Sequence, residues 1–504
     1  MTKAQFGLHI WIGIFLCLFS VSCSDDDTDS IKGDDDDTDL SINHWIEKKL
    51  RNDYLWYNEL PATNKIDYTA DPETFFYSLL SLNDGKTRNG KHLYYYSYME
   101  KNKDYKTRTS IDADNTYGME FTLFNIVDGN NKPLGYYYAR VVYILPNSPA
   151  HAAGLERGDW IIGIDGKNNI KEGNYKALLN GSASQWIIKH NSETKTIAIG
   201  ASTAVEDNPL YYHDVLTFGD KKIGYLVYNH FTPGPTGVDD RTYDEEMKTI
   251  FADFQSKGVN EFVLDLRYNG GGYEHSANML AGLLISEEYK DKVFGIFSNN
   301  KGKVTHTRYF NTETGGTTGY LKLNSNRIYI LTSENTASSS ELVISSLEPF
   351  MNIILIGELT EGKNVGMQKY SDDQYEWAYW PITTKVTNAV HSDYSAGFTP
   401  DYDWNEFNLA QNPEDTLLPL GSSDEFMLNK AITLITGTNR NTRNITMSSQ
   451  TIQRSQPIYQ SIDRHTTGGV LLWDIPKIIK FKATNSLRVS CLFCIFKHSP
   501  QKTV

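Results

Sequence analysis

Cysteine is scarce in this chain, with four in 504 residues: Cys17 and Cys23 near the start, Cys491 and Cys494 near the end. That distribution excludes a disulfide framework, and a lone C-x-x-C with no second pair gives weak support for zinc or redox work. Basic excess is missing too. The formal charge is −14, which argues against nucleic acid as a partner, because phosphate contacts need a basic surface. There is no H-E-x-x-H, so a metallopeptidase has no support. No lysine follows the glycines of DLRYNGGG (265–272) in the way a phosphate-binding loop requires. No metal or organic cofactor is implied. The apolar stretch HIWIGIFLCLFSV near the N-terminus is too short to span a bilayer comfortably.

What is present points to folded protein. Hydrophobic residues make up 39% and aromatics 12%, with 32 Tyr, a composition that builds cores. The length calls for two to four domains. Lys3, the apolar stretch and SVSC ending at Cys23 resemble a bacterial lipoprotein signal (1–22), although Ser20 stands where such signals usually carry Leu. Lipidation would then fall on Cys23; a plain secretory signal cleaved nearby is the alternative. The acidic run SDDDTDSIKGDDDDTD reads as a solvated tether (23–40). It also resembles the surface-export tag of lipoproteins in the Bacteroides group. The expected location is the outer membrane, facing the cell surface or the periplasm.

SINHWIEKKLRNDYLWYNEL (41–60) places Trp45, Leu50, Tyr54 and Tyr57 near helical spacing, predicting an amphipathic helix that opens a small helical domain over 41–110. VVYILPNSPAHAAGLERGDWIIGIDG (141–166) reads as strand, Pro-Ser turn, short helix and strand. Its S-P-A-x-x-A-G-L-x-x-G-D-x-I run resembles a PDZ domain, placed at 111–205. Such domains add an extended chain end to a sheet edge. The resemblance implies a carboxylate-binding turn of backbone N–H groups at Tyr117, Gly118, Met119 and Glu120. From 206 to 437 strands and helices alternate: IGYLVYN, a helical 240–258, EFVLDLRYN, HSANMLAGLLIS, RIYILT, SSELVISSLEPF and NIILIGEL. That order predicts an α/β layer with largely parallel strands. Residues 438–504 read as a polar, then basic, tail without assigned role.

ENTASSSE (334–341) lies between the strand RIYILT and a helix. A hydroxyl there can cap the helix, with Thr336 or Ser338 accepting N–H groups and Glu341 completing a capping box. The same position suits a nucleophile, with the next backbone N–H stabilising an oxyanion. A base is missing locally, but Lys363 sits on a glycine-flanked turn after NIILIGEL. If the two strands are parallel neighbours, Ser338 and Lys363 meet. An ordinary solvent-facing turn lysine is the alternative for Lys363. His275, just beyond the glycines, is a rival base that ranks below Lys363, since no orienting carboxylate is specified around it and a helix N-terminal or rim position accounts for it.

Together, D-L-R-x-N-x-G-G at Asp265 to Gly272, T-A-S-S-S-E at Thr336 to Glu341, and G-K at Gly362–Lys363 resemble the carboxyl-terminal processing (tail-specific) serine peptidases. The resemblance covers about residues 41–437. It implies a multidomain α/β protein: a small helical N-terminal domain, a PDZ domain and a crotonase/ClpP-like α/β catalytic domain. It also implies a Ser/Lys dyad, Ser338 and Lys363, with the lysine about 25 residues after the serine, as here. Oxyanion donors would be Gly271 or Gly272 together with Ser339. Gln368, one position beyond the family's usual glutamine, would orient the lysine. The implied partners are protein or peptide substrates cut near their C-termini. The competing reading is a catalytically silent surface lipoprotein that binds peptide or glycan.

Overall fold

The computed structural model describes residues 42–471 apart from 89–90, 102–114, 129, 131, 168–169, 191–192, 317–320, 372–376, 409–416, 439–456 and 463–469. The signal, Cys23, the acidic run and the Cys491/Cys494 pair lie outside the described residues.

The first part begins with α1 (Ile42–Asp53) and α2 (Pro72–Leu79). Ile46, Leu50 and Tyr54 bury against Phe75, Phe76 and Leu79. Asp71 caps α2 by accepting the Thr74 N–H at 3.1 Å, and Pro72 supplies the preset φ of a first turn. Beyond α2 the helical expectation is corrected. Lys86–Arg88 (β1), Lys91–Tyr94 (β2) and Tyr98–Lys101 (β3) are strands. The tyrosine-rich KHLYYYSYMEK favours the pleated state, and β3 pairs antiparallel with Trp377–Trp380, a partner far along the chain.

An antiparallel sheet follows: β4 (Met119–Val127), β5 (Pro133–Ile144), β6 (Trp160–Ile164), β7 (Ser184–His190) and β8 (Glu193–Ile199), in that order. The short α3 (Pro149–Ala152) interrupts it, its N-terminus capped by Ser148, which accepts the His151 N–H at 3.1 Å. Phe121, Leu123, Val141, Ile161 and Trp186 fill its core.

The largest part runs β9 (Tyr212–Phe218), β10 (Lys221–Val227), α4 (Thr242–Ser256), β11 (Glu261–Asp265) and α5 (Glu274–Leu284). It continues with β12 (Val293–Asn299), β13 (Val304–Tyr309), α6 (Asn311–Thr314), β14 (Arg327–Thr332), α7 (Ser339–Leu347) and β15 (Asn352–Gly357). Then come β16 (Val365–Met367), β17 (Tyr370–Ser371), β18 (Trp377–Trp380), β19 (Ile382–Thr387), β20 (Tyr402–Asp403) and α8 (Phe426–Thr436). One sheet has the order β20-β15-β14-β11-β10-β9, and every pair in it is parallel except β10–β9. Alternation explains why its central strands read as unbroken apolar runs. Ile328 and Ile330 face α4, α5 and α7, while Tyr329 and Leu331 face α8. The protein is thus a multidomain α/β chain, as expected.

The tail is not apart from these layers. Tyr459–Gln460 (β21) extends the antiparallel sheet beside β4, and Val470–Leu471 (β22) lies parallel to β16. No local pattern in residues 438–504 announces those partners.

Candidate active site

Parallel pairing sets Asp265 beside Leu331 and Thr332 beside Gly357, so the loops after β11, β14 and β15 leave one edge of the sheet together. This is the edge at which open α/β sheets place their ligands.

The hydroxyls of the loop after β14 can be accounted for one at a time. Thr336 Oγ1 donates to the Leu266 carbonyl at 2.9 Å, Ser340 Oγ to Asn269 at 2.9 Å, and Ser339 Oγ to Gly272 at 2.7 Å. Ser333 Oγ donates to the Arg267 carbonyl. Every acceptor is a carbonyl of 266–272, so these side chains hang the glycine turn from the start of α7. One hydroxyl is left over. Ser338 Oγ is buried and has no hydrogen-bond partner among the described residues. Its backbone sits at φ 58°, ψ −114°, a conformation that costs a non-glycine residue about 1–3 kcal/mol and collects at functional turns. The expected capping box with Glu341 is in place, the Glu341 carboxylate accepting the Ser338 N–H and the Ser338 side chain facing the Glu341 N–H without closing a hydrogen bond of normal geometry.

The glycine turn abuts this hydroxyl. A Cβ on Gly271, at φ +107°, would lie 2.7 Å from Ser338 Cβ and 3.0 Å from its Oγ, so only glycine fits. The Gly271 N–H, however, donates to Asn269 Oδ1 at 2.9 Å. The N–H groups of Gly272 and Ser339 have no acceptor among the described residues. Of the expected oxyanion donors, Gly272 and Ser339 are available and Gly271 is engaged.

Glu341 joins the serine to the lysine. Its Oε2 accepts the N–H of Ser338 at 3.0 Å and of Lys363 at 2.8 Å; its Oε1 accepts Gly362 N–H at 2.7 Å and Thr360 Oγ1 at 2.6 Å. The two backbone nitrogens therefore lie within two hydrogen-bond lengths of each other. Burial pushes this carboxyl up to about 7, against the pull of those four donors. Glu341→Gln would turn an amide NH2 onto two of the donors. The expected result is a loss of about 1–3 kcal/mol in stability, read by urea unfolding.

Lys363 is 1% exposed, an abnormal fate for a turn lysine. Its ammonium nitrogen stands 4.3 Å from the centroid of the Tyr96 ring. Asp84, pushed up by burial, is pulled back by Ser97, Tyr54 and the charge of Lys363. Tyr96 in turn donates to Glu361 Oε1 at 2.8 Å. Sequence reasoning missed Asp84 and Tyr96. Both belong to the first part of the chain, and no local spacing ties them to position 363.

Two expectations are corrected, for Gln368 and for the turn ahead of β4, while His275 lies at a helix start as its lower rank implied. Gln368 is half-buried and makes no side-chain hydrogen bond among the described residues; its N–H donates to Pro381 O at 3.3 Å. A register shift does occur in the β16–β19 pairing, but the extra residue is Thr383 on β19, so Gln368 is not rephased toward Lys363. His275 is fully buried and held neutral, down to about 2, by burial and then by Arg241 and Arg308; it makes no bond to Ser338 Oγ. In the turn ahead of β4, Tyr117 N–H donates to Leu179 O at 3.4 Å and Gly118 N–H to Thr116 Oγ1 at 3.0 Å. Those two donors are engaged, while Met119 and Glu120 open β4 itself.

A cavity of about 970 Å³ lies beside the site, walled by Tyr96, Ala337, Thr360 and Glu361 and by Ile458–Gln460 of the tail.

Residues 222–404 match Peptidase family S41, residues 41–98 the Peptidase S41 N-terminal domain and residues 140–185 a PDZ domain. The chain is 28% identical over 270 residues to a carboxyl-terminal-processing protease of Picosynechococcus sp., covering 52% of this chain and 59% of that protein. It is 26% identical over 246 residues to a carboxy-terminal processing protease of Bacillus subtilis, covering 46% of each. The alignments thus span about half the length of these curated relatives. A crystal structure from Bacteroides fragilis, assigned to the S41 proteases, superposes with a TM-score of 0.65 at 31% identity, covering 78% of this chain and 97% of that one.

Proposed function

From the premise that this chain belongs to peptidase family S41, we propose that it is a serine endopeptidase cutting protein or peptide substrates near their C-termini. The observation that carries this is the unbonded Ser338 hydroxyl, backed by the glycine turn and tied through Glu341 to the turn bearing Lys363.

Lys363 Nζ takes the proton as Ser338 Oγ attacks the scissile carbonyl carbon. Only the neutral form of the Lys363 amine can accept that proton. The oxyanion forms beside the Ser339 and Gly272 N–H groups, which need no reorganisation to receive it. The C–N bond then breaks, the proton passes from Lys363 to the leaving amine, and an ester remains on Ser338. Water attacks the ester, gives its proton to Lys363, and Ser338 regains its own. Anchoring on Cys23 at the outer membrane is part of the same proposal and rests on the signal-like N-terminus.

Treating the protein, expressed with its leader, with a serine-directed fluorophosphonate tests this. The expected adduct maps to the peptide containing Ser338, the preparation shortens an unfolded substrate from its C-terminal side, and it partitions into detergent phase unless Cys23→Ala is introduced. An adduct on another serine, or no cleavage of any unfolded substrate, rejects the nucleophile and leaves the binding-only reading. Partition into water with Cys23 intact rejects the anchor.

A further inference from the structure

The edge of β4 is already filled. Ile458 N–H donates to Leu123 O at 3.0 Å, Ser461 N–H to Phe121 O at 2.9 Å, and Phe121 N–H to Ser461 Oγ at 2.7 Å. The register sets Tyr459 opposite Leu123 and Gln460 opposite Thr122, antiparallel, so the segment runs toward the turn at 117–120. A bound chain end would take the same direction if its carboxylate were to reach that turn. The side chains match the edge as well. The Tyr459 ring lies 5.0 Å from Tyr175 and 6.0 Å from Phe121 by centroid. Ser461 Oγ also donates to Glu120, and Ile462 is buried with Val142, Tyr143 and Leu145.

The same segment touches the catalytic loop. Gln460 accepts from Asn335 Nδ2 and donates to Glu334 Oε1, each at 2.9 Å, just ahead of Ser338. Farther on, Val470 and Leu471 pair with Gly366 and Met367, on the strand that follows Lys363. Without this occupant, the N–H of Phe121 and the carbonyls of Phe121 and Leu123 would face the cleft unpaired, an edge that invites another strand.

We propose that the β4 edge is a peptide-binding site whose resident ligand is the chain's own segment 457–462, and that a substrate enters by displacing it. The ligand defines what fits: an extended segment with an aromatic residue opposite Leu123, a hydroxyl residue at Glu120 and an aliphatic residue directly after it. Competition with substrate rests on the peptidase reading, whereas the occupancy does not. A tethered segment competes at an effective concentration set by its tether, of order millimolar. It therefore weakens free peptides without abolishing their binding.

The test uses the full chain in a Ser338→Ala background, with and without Ile458→Pro plus Ser461→Pro, which delete both donated N–H bonds. The probe is fluorescein-labelled PIYQSI with a free carboxylate. The doubly substituted protein is expected to bind it about tenfold more tightly or better. The Phe121 amide should exchange faster with deuterium, then slow again when peptide is added. Ser461→Ala, which removes only the hydroxyl bonds, should move both readouts in the same direction by a smaller factor. With Ser338 restored, KM for a substrate ending in YQSI should fall about tenfold. Equal affinity in the two backgrounds, with Phe121 exchange unchanged, overturns the occupancy whatever the proteolytic result. Tighter binding in a protein that cleaves nothing upholds the occupancy and rejects the peptidase reading alone.

Discussion

Replacing Ser338 with Ala is expected to lower kcat by at least about a thousandfold, the scale on which catalytic units fail when their nucleophile is removed. KM should change far less, because Ala removes one hydroxyl that makes no hydrogen bond of normal geometry among the described residues. Lys363→Met should match that loss, since it keeps the length of a buried side chain and deletes only the amine. Lys363→Arg should be equally inactive, because a guanidinium does not deprotonate in proteins. The sharper expectation concerns the double variant. If serine and lysine act as one unit, Ser338→Ala with Lys363→Met loses no more than either alone. Steady-state hydrolysis of one C-terminal peptide by all four proteins measures this. More than a tenth of wild-type kcat in Ser338→Ala, or losses that multiply in the double variant, would remove the dyad. Folding should survive Ser338→Ala. Breaking a polar contact elsewhere is costly because it orphans a partner, whereas Ser338 Oγ has none to orphan.

Arg267→Leu should produce the largest loss of stability, about 3–5 kcal/mol, the usual outcome when one member of a buried charge network is removed. Its guanidinium bonds Asp265 Oδ2 at 2.7 Å, Glu425 Oε1 at 2.8 Å and Glu406 Oε2 at 2.9 Å, all of them buried. Arg157, from the antiparallel domain, reaches Glu406 Oε2 at 2.6 Å, and Tyr268 donates to Glu406 Oε1 at 2.6 Å. The network therefore clamps two domains and lies directly ahead of the glycine turn. Losing Arg267 should lower kcat as well as the urea midpoint. The pH dependence has a definite sign. Burial raises Glu406, but Arg157 and then Arg267 outweigh it and hold it at about 2. Glu425 is lowered for the same reason, by Arg267 and Arg157 against burial. A carboxylate lowered on folding contributes stability that is complete above its unfolded pKa, roughly 4.3. That contribution disappears as pH falls from there toward 2. In Arg267→Leu the acid limb of the stability curve should be flatter. Denaturant midpoints measured from pH 7 down to pH 3 check both effects. An unchanged midpoint at neutral pH would mean that the carboxylates find other partners.

Much of the fold was legible because its signals are local. RIYILT is the strand β14 to the residue, and the helix after it begins at Ser339 as its cap-rich start implied. The short helix after the Pro-Ser turn was equally readable. KHLYYYSYMEK was not. It lies in a stretch expected to be helical, yet it is strand because Trp377–Trp380 pairs with Tyr98–Lys101. Gln368 failed for a related reason. Its offset from Lys363 is countable in sequence, but which strand takes up the register shift is settled by β19.

The chain by itself determined the alternation of strands and helices, the order of domains and the two residues whose chemistry could form a dyad. Those depend on side-chain type, period and spacing, which propagate over a turn of helix or a few residues of strand. The folded molecule decided which of five adjacent hydroxyls stays free, which glycine N–H remains open, and which side chains surround Lys363. It also brought residues 457–462 onto an edge more than three hundred positions away. Each of these is a contest for a limited set of hydrogen-bond partners across space. A donor satisfied by one carbonyl is lost to every other, and that outcome exists only once all the competitors are in place.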